Sequence, residues 1–121
     1  MIPYGRQNVT QEDIENVVQV LQSDFLTQGP SVLKFEEAFA SYVGAKYAVA
    51  VSNGTAALHL SALCLGVNEK SKVITTPITF AASANCIRYC DGEVYFADIN
   101  QDTYLLDVNK VRSLLTEHPK G

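Results

Sequence analysis

Tryptophan is absent from this chain, methionine occurs only at Met1, and histidine only at His59 and His118. So few imidazoles leave no defensible serine–histidine–aspartate relay and little basis for a histidine-rich metal centre. Cysteine is scarce and odd in number, as Cys64, Cys86 and Cys90. Unpaired spacing of that kind reads as reduced thiols in a cytoplasmic protein, not as a disulfide framework. Cys86 and Cys90 can share a helix face, but no histidine or carboxylate pair accompanies them, so no metal is expected. A long apolar run is missing, which excludes a membrane-spanning helix. The opening, Met1-Ile2-Pro3-Tyr4-Gly5-Arg6, has no apolar core of the kind a secretory signal needs. An excess of basic residues is missing too. Nine Lys and Arg against thirteen Asp and Glu give a net charge of −4, which gives no reason to expect nucleic acid or an anionic membrane as partner. What remains is a 121-residue chain, 47% hydrophobic and 18% charged. That is a globular composition and one domain's worth, or part of a larger domain.

The chain is organised around its middle. Tyr47-Ala48-Val49-Ala50-Val51 is short, apolar and partly β-branched, which suits a buried strand. Ser52-Asn53-Gly54-Thr55 are small or turn-forming, and the run from Ala56 through Leu65 is rich in helix formers. A strand that ends in a tight turn opening a helix has two readings. Free amides at the helix start, close backbone approach at Gly54 and the Thr55 hydroxyl can hold a phosphate. The plainer reading is an ordinary strand–turn–helix with Ser52 or Asn53 as its cap.

Before this stretch, residues 1 to 9 read as an extended arm. Thr10 precedes Glu12 and Asp13 and a helical spacing of Ile14, Val17, Val18 and Leu21, so it is expected to cap a helix with one apolar face. Phe25 to Pro30 reads as loop, and Ser31 as the cap of a second helix burying Val32, Phe35, Phe39 and Tyr42 or Val43. Gly44 should end it. After the middle, Gly66 to Ser71 is a polar turn and Lys72 to Thr76 a strand closed by Pro77. Thr79 to Ile87 reads as a helix. Asp91-Gly92 turns into a strand from Glu93 to Ala97. Asn100 to Tyr104 is loop, and Asp107 is expected to cap a last helix with Val108, Val111, Leu114 and Leu115 inside.

From Ala45 onward the expected order is β-α-β-α-β-α, an α/β arrangement with a mostly parallel sheet and right-handed crossovers. Residues 1–44 form an arm and two helices before it. Ligands of such sheets sit at the carboxyl ends of the strands. The loops at residues 52–55, 76–80 and 98–103 therefore matter most. Three short strands leave open sheet edges, so the sheet is expected to be incomplete. Asp98 and Asp102 flank the last of these loops as a candidate acid and base, or as ordinary turn-makers. Phe80 stands at the mouth of the sheet, either to stack on a flat ring or to pack in the core. His59 falls on a helix, where a packed or surface role is expected.

Five segments in order carry a resemblance over essentially the whole chain. They are Leu26-Thr27-Gln28-Gly29-Pro30, Phe35-Glu36, the stretch from Tyr42 to Leu58 with Ser52-Asn53-Gly54-Thr55 inside it, the stretch from Thr75 to Asn85, and Val94-Tyr95-Phe96-Ala97-Asp98-Ile99. The sequence resembles the N-terminal part of the DegT/DnrJ/EryC1/StrS sugar aminotransferases, enzymes of fold type I that use pyridoxal 5'-phosphate (PLP). The resemblance implies part of the large three-layer domain of that fold. It implies a cytoplasmic homodimer that moves an amino group from an amino acid, such as glutamate, to C4 of a UDP-linked keto-deoxy sugar. Thr75-Thr76-Pro77 and the Pro119-Lys120-Gly121 ending resemble the branch that aminates UDP-4-keto-6-deoxy-N-acetyl-altrosamine on the way to pseudaminic acid. By the same resemblance Gly54, Thr55 and Ala56 match the turn that grips the cofactor phosphate, and Phe80 the aromatic that stacks on the pyridine ring. Tyr4, Thr27, Gln28 and Gly29 match positions lining the sugar-nucleotide pocket at the dimer interface. The family's Schiff-base lysine and the acid that pairs with the pyridine nitrogen are expected beyond Gly121. None of Lys34, Lys46, Lys70, Lys72, Lys110 or Lys120 sits in that lysine motif, so no catalytic residue is assigned and the chain alone is expected not to transaminate. Two other readings stay open: a non-enzymatic phosphate-binding or interaction fragment, and part of a PLP-dependent sugar dehydratase of the same family.

Overall fold

Short polar residues placed just before apolar runs set most of the helix starts. The computed structural model describes residues 5–117, which fall into two compact units, 5–50 and 51–117.

The first unit holds α1 (Gln11–Leu21) and α2 (Pro30–Val43). Thr10 caps α1 through a reciprocal pair of bonds: its Oγ1 accepts from the Asp13 amide at 3.2 Å, and Asp13 Oδ2 accepts from the Thr10 amide at 2.7 Å. The expected cap of α2 was Ser31, but the cap is Gly29, with Pro30 at the first helical position. The fixed φ of proline fits the first turn and its missing N–H costs nothing there, so the helix starts one residue earlier. Gly44 ends α2 in the left-handed region at φ 69°, as a glycine at that position favours.

Tyr47 to Val51 is the clearest departure from expectation. It forms no ladder with any strand among the described residues. A strand exists through its neighbours' hydrogen bonds, and here no neighbour supplies them. One polar partner does reach it: Glu36 Oε1 on α2 accepts from the Ala50 amide at 2.7 Å.

The second unit runs α3 (Gly54–Cys64), β1 (Lys72–Thr75), α4 (Ala82–Arg88), β2 (Glu93–Phe96) and α5 (Val108–Glu117). β1 and β2 pair in parallel, with Lys72 opposite Glu93 and Thr75 opposite Phe96, and α4 makes the crossover that a parallel pair requires. Two further bonds extend the ladder, Glu93 N to Ser71 O and Ala97 N to Thr75 O, both 2.9 Å. α4 starts three residues later than expected. The Thr79 hydroxyl bonds Ser83 Oγ at 3.1 Å, and Phe80 O accepts from the Ser83 amide at 3.0 Å, forming a tight turn before the helix. Asp107 caps α5, its Oδ1 accepting from the Asn109 amide at 2.8 Å. The core of this unit joins Ala62, Cys86, Ile87 and Cys90, flanked by Val67, Val73 and Val94.

The helix faces expected to be buried are right in spacing and mostly wrong in burial. Ile14, Val17, Val18 and Leu21 of α1 are exposed, as are Val32, Phe35, Phe39, Tyr42 and Val43 of α2 and Val108 and Leu115 of α5. Only Val111 and Leu114 of α5 are half-buried. The stripes exist, but nothing among the described residues covers them.

Candidate functional site

The parallel register puts the carboxyl ends of β1 and β2 on one edge, where the loops 76–81 and 97–107 emerge. α3 packs on α4, and the short turn after α3 enters β1 at its amino end. The first turn of α3 therefore points toward the carboxyl edge, where parallel sheets hold their ligands.

The amides of that turn are unequally occupied. Asn53, with an extended backbone at φ −169°, caps the helix, and its Oδ1 accepts from the Ala56 amide at 2.9 Å. Asn53 O accepts from the Ala57 amide at 3.1 Å. Among the described residues, no acceptor pairs with the amides of Gly54 or Thr55, and the half-buried Thr55 hydroxyl has no partner. A Cβ added at Gly54 would meet nothing within 4 Å, so the space over these donors is open. Two adjacent free amides, a free hydroxyl and the positive end of a helix form a donor set that fits a phosphate dianion.

Phe80 follows β1 in the loop 76–81 and is 76% exposed. The core-packing reading of this residue is thereby excluded among the described residues, and its ring pairs with no other aromatic there. Thr76 Oγ1 accepts weakly from the Ile78 amide at 3.4 Å. Asp98 behaves as a turn-maker: its Oδ1 accepts from the Ile99 amide at 2.8 Å. The loop after β2 is organised by Asn100, a residue the sequence did not single out. Its Oδ1 accepts from the Asp102 and Thr103 amides, both at 3.0 Å, and an antiparallel bridge between Ile99 and Leu106 closes the loop. The signal was present in the sequence, since an asparagine side chain favours a turn by bonding the backbone two residues on.

In the first unit, Thr27, Gln28 and Gly29 sit together in the turn that leads into α2. Gln28 is exposed and holds a left-handed backbone at φ 52°, a conformation that is unfavourable for a residue with a Cβ. Gly29 is a glycine for reasons of packing, because a Cβ there would stand 2.8 Å from Phe25 Cβ and 3.1 Å from Phe25 O. Tyr4, His118 and Lys120 lie outside the described residues. His59 is half-buried and packs edge-on to Tyr89, with ring centroids 5.3 Å apart. Among the described residues no three His, Cys, Asp or Glu side chains gather as metal ligands do, and no helix is long and apolar enough to cross a membrane.

Comparison with known proteins gives a consistent result. The profile of the DegT/DnrJ/EryC1/StrS aminotransferase family matches residues 7–121. The spore coat polysaccharide biosynthesis protein SpsC of Bacillus subtilis is 40% identical over 99% of this chain and 31% of its own length. The UDP-4-amino-4,6-dideoxy-N-acetyl-beta-L-altrosamine transaminase of Campylobacter jejuni is 41% identical over 98% of this chain and 31% of its own. Among solved structures, the Streptococcus pneumoniae protein Spr1654 is described as a sugar aminotransferase and was determined in its PLP form. It superposes with a TM-score of 0.85 at 28% identity, over 93% of this chain and 29% of its own. The chain thus spans about a third of the length of the curated relatives it matches, and its small parallel sheet with flanking helices corresponds to part of a fold type I aminotransferase.

Proposed function

The chain belongs to the DegT/DnrJ/EryC1/StrS aminotransferase family, and from that premise we propose that it supplies the cofactor-phosphate grip and the ring-stacking face of a PLP-dependent sugar-nucleotide aminotransferase. The observation that carries this reading is the pair of amides at Gly54 and Thr55, beside the Thr55 hydroxyl, at the start of α3, none of which has a partner among the described residues. Gly54, Thr55 and Ala56 hold the phosphate turn, and Phe80 offers its exposed face to the pyridine ring. PLP, when bound, supplies an electron sink for moving an amino group. The chain's own residues bind and orient it.

In this reading the acceptor is a UDP-linked keto-deoxy sugar aminated at C4, the donor is an amino acid such as glutamate, and Tyr4, Thr27, Gln28 and Gly29 line the sugar-nucleotide pocket of a cytoplasmic homodimer. The pseudaminic acid branch draws support from the altrosamine transaminase relative in Campylobacter jejuni. None of the chain's lysines sits in the family's lysine motif, so the 121-residue chain by itself does not transaminate and binds the cofactor weakly or not at all.

The test is a titration of the purified chain with PLP and, separately, with inorganic phosphate, followed by equilibrium dialysis. Binding of either is expected to be weak, with Thr55→Ala weakening it further by about tenfold, the scale of a lost hydrogen bond to a charged group. Phe80→Ala should weaken PLP alone. No amino transfer from glutamate should be detectable. Equal binding by wild type and Thr55→Ala would remove the phosphate grip from this turn, and turnover by the chain alone would refute its inactivity.

A further inference from the structure

We propose that Glu36 guards an unpaired, strand-like edge: its carboxylate occupies the Ala50 amide and so blocks another strand from pairing there. Tyr47-Ala48-Val49-Ala50-Val51 carries no charge and no proline and is rich in residues that favour strands. Such a run, left without a ladder, is a template for pairing with another chain. It forms no ladder among the described residues, and Tyr47 and Val49 are 76% and 77% exposed. The amides of Val49 and Val51 meet no acceptor there. Ala50 is different. Its amide donates to Glu36 Oε1 on α2 at 2.7 Å, across a separation of 14 residues. Among the described residues of the first unit, every other side-chain hydrogen bond spans 4 residues or fewer. Those are caps and turns, whereas Glu36 ties a helix to a distant stretch of backbone.

A carboxylate suits this task for two reasons. A charge-assisted bond is about twice as strong as a neutral one, so the carbonyl of an incoming strand would have to displace a better acceptor than itself. Its approach would also bring a partial negative charge against a full one. Glu36 is half-buried on α2, while Glu37, the next residue, is exposed and takes no backbone amide among the described residues. The two carry the same charge and differ in what they hold, which makes Glu37 the control.

The experiment reads hydrogen exchange amide by amide in the nitrogen-15-labelled chain, together with thioflavin T fluorescence over time. After correction for intrinsic rates, the wild-type Ala50 amide should exchange about tenfold more slowly than those of Val49 and Val51, the scale of a hydrogen bond to a charged group. Glu36→Ala should abolish that difference, and it should form thioflavin-positive assemblies faster than both the wild type and Glu37→Ala. Alanine is the best helix former, so loss of α2 would not account for the change. Glu36→Gln keeps an acceptor without the charge and should retain part of the protection. Equal exchange at Val49, Ala50 and Val51 in the wild type would overturn the inference without any variant. Faster Ala50 exchange in Glu36→Ala, with assembly no faster than in Glu37→Ala, would show that the bond holds the segment without guarding its edge, and would overturn it as well.

Discussion

A single added methyl group separates the glycines of this chain by what they do. At Gly92 a Cβ would stand 2.8 Å from Ile87 Cγ2, 3.1 Å from Val67 Cγ1 and 3.3 Å from Ile87 O. Gly92 precedes β2 and lies against the core of the second unit, where Ile87 is buried. Gly92→Ala should therefore destabilise that unit by about 1–3 kcal/mol, the usual cost of overpacking. Urea unfolding followed by circular dichroism checks it, and Gly54→Ala, with nothing within 4 Å of its Cβ, is the control expected to keep the wild-type midpoint. Gly29 belongs with Gly92: Phe25 explains it without any ligand. Much of this scale was legible in the sequence. Thr10, Asn53 and Asp107 could be read as caps because a short polar side chain just before an apolar run can satisfy a free amide. Ser31 misled because Pro30 can serve as the first helical residue, which moves the boundary back to Gly29. Gly92 was legible only as a turn, since its tight packing against Ile87 and Val67 arises only once the chain has folded.

At the scale of elements, α1 carries its own pH dependence. The Thr10 amide, and then the Thr10 hydroxyl, donate to the Asp13 carboxylate and hold it below its ordinary value of 3.8. A depressed folded value means that the cap contributes fully above the ordinary carboxylate range and is lost as the pH falls through the lower folded value. The Asp13 carboxyl, followed by carbon-13 NMR, should titrate below 3.8. Thr10→Ala should move it only part of the way back, because the backbone amide remains. A midpoint at the ordinary value in the wild type would remove the reciprocal cap. The same scale shows where sequence reading stops. Periodicity identified the apolar stripes of α1, α2 and α5 correctly, but periodicity reports which face wants cover, not whether cover is present. Tyr47 to Val51 has the composition of a strand, and composition cannot supply a ladder. In the structure Tyr47 and Val49 are 76% and 77% exposed. The expected strands Lys72 to Thr76 and Glu93 to Ala97 do form, each one residue shorter at its end, because each is the other's partner.

Across the whole molecule, the balance of buried and exposed apolar surface sets behaviour in solution. The residues buried among those described are small, chiefly Ala62, Ala82, Cys86, Cys90 and Ala97, with Ile87 the exception, and no large side chain is fully buried. Large apolar side chains are exposed on both units, including Phe35, Phe39 and Leu21 in the first and Phe80, Leu105 and Leu115 in the second. Each large side chain left in water forgoes roughly 1.5–3 kcal/mol of burial, while a two-stranded sheet is marginal by itself and offers unpaired edges. The 121-residue chain should therefore self-associate. Sedimentation velocity should show an average mass that rises with concentration, and an apolar dye such as ANS should fluoresce strongly with the native chain. Fusing a charged, soluble partner should not abolish the dye signal, because the exposed faces stay exposed. A single monomeric species at all concentrations with no dye binding would mean that these faces find cover within the chain in solution, which would contradict the exposure of Tyr47, Val49 and the α1 stripe.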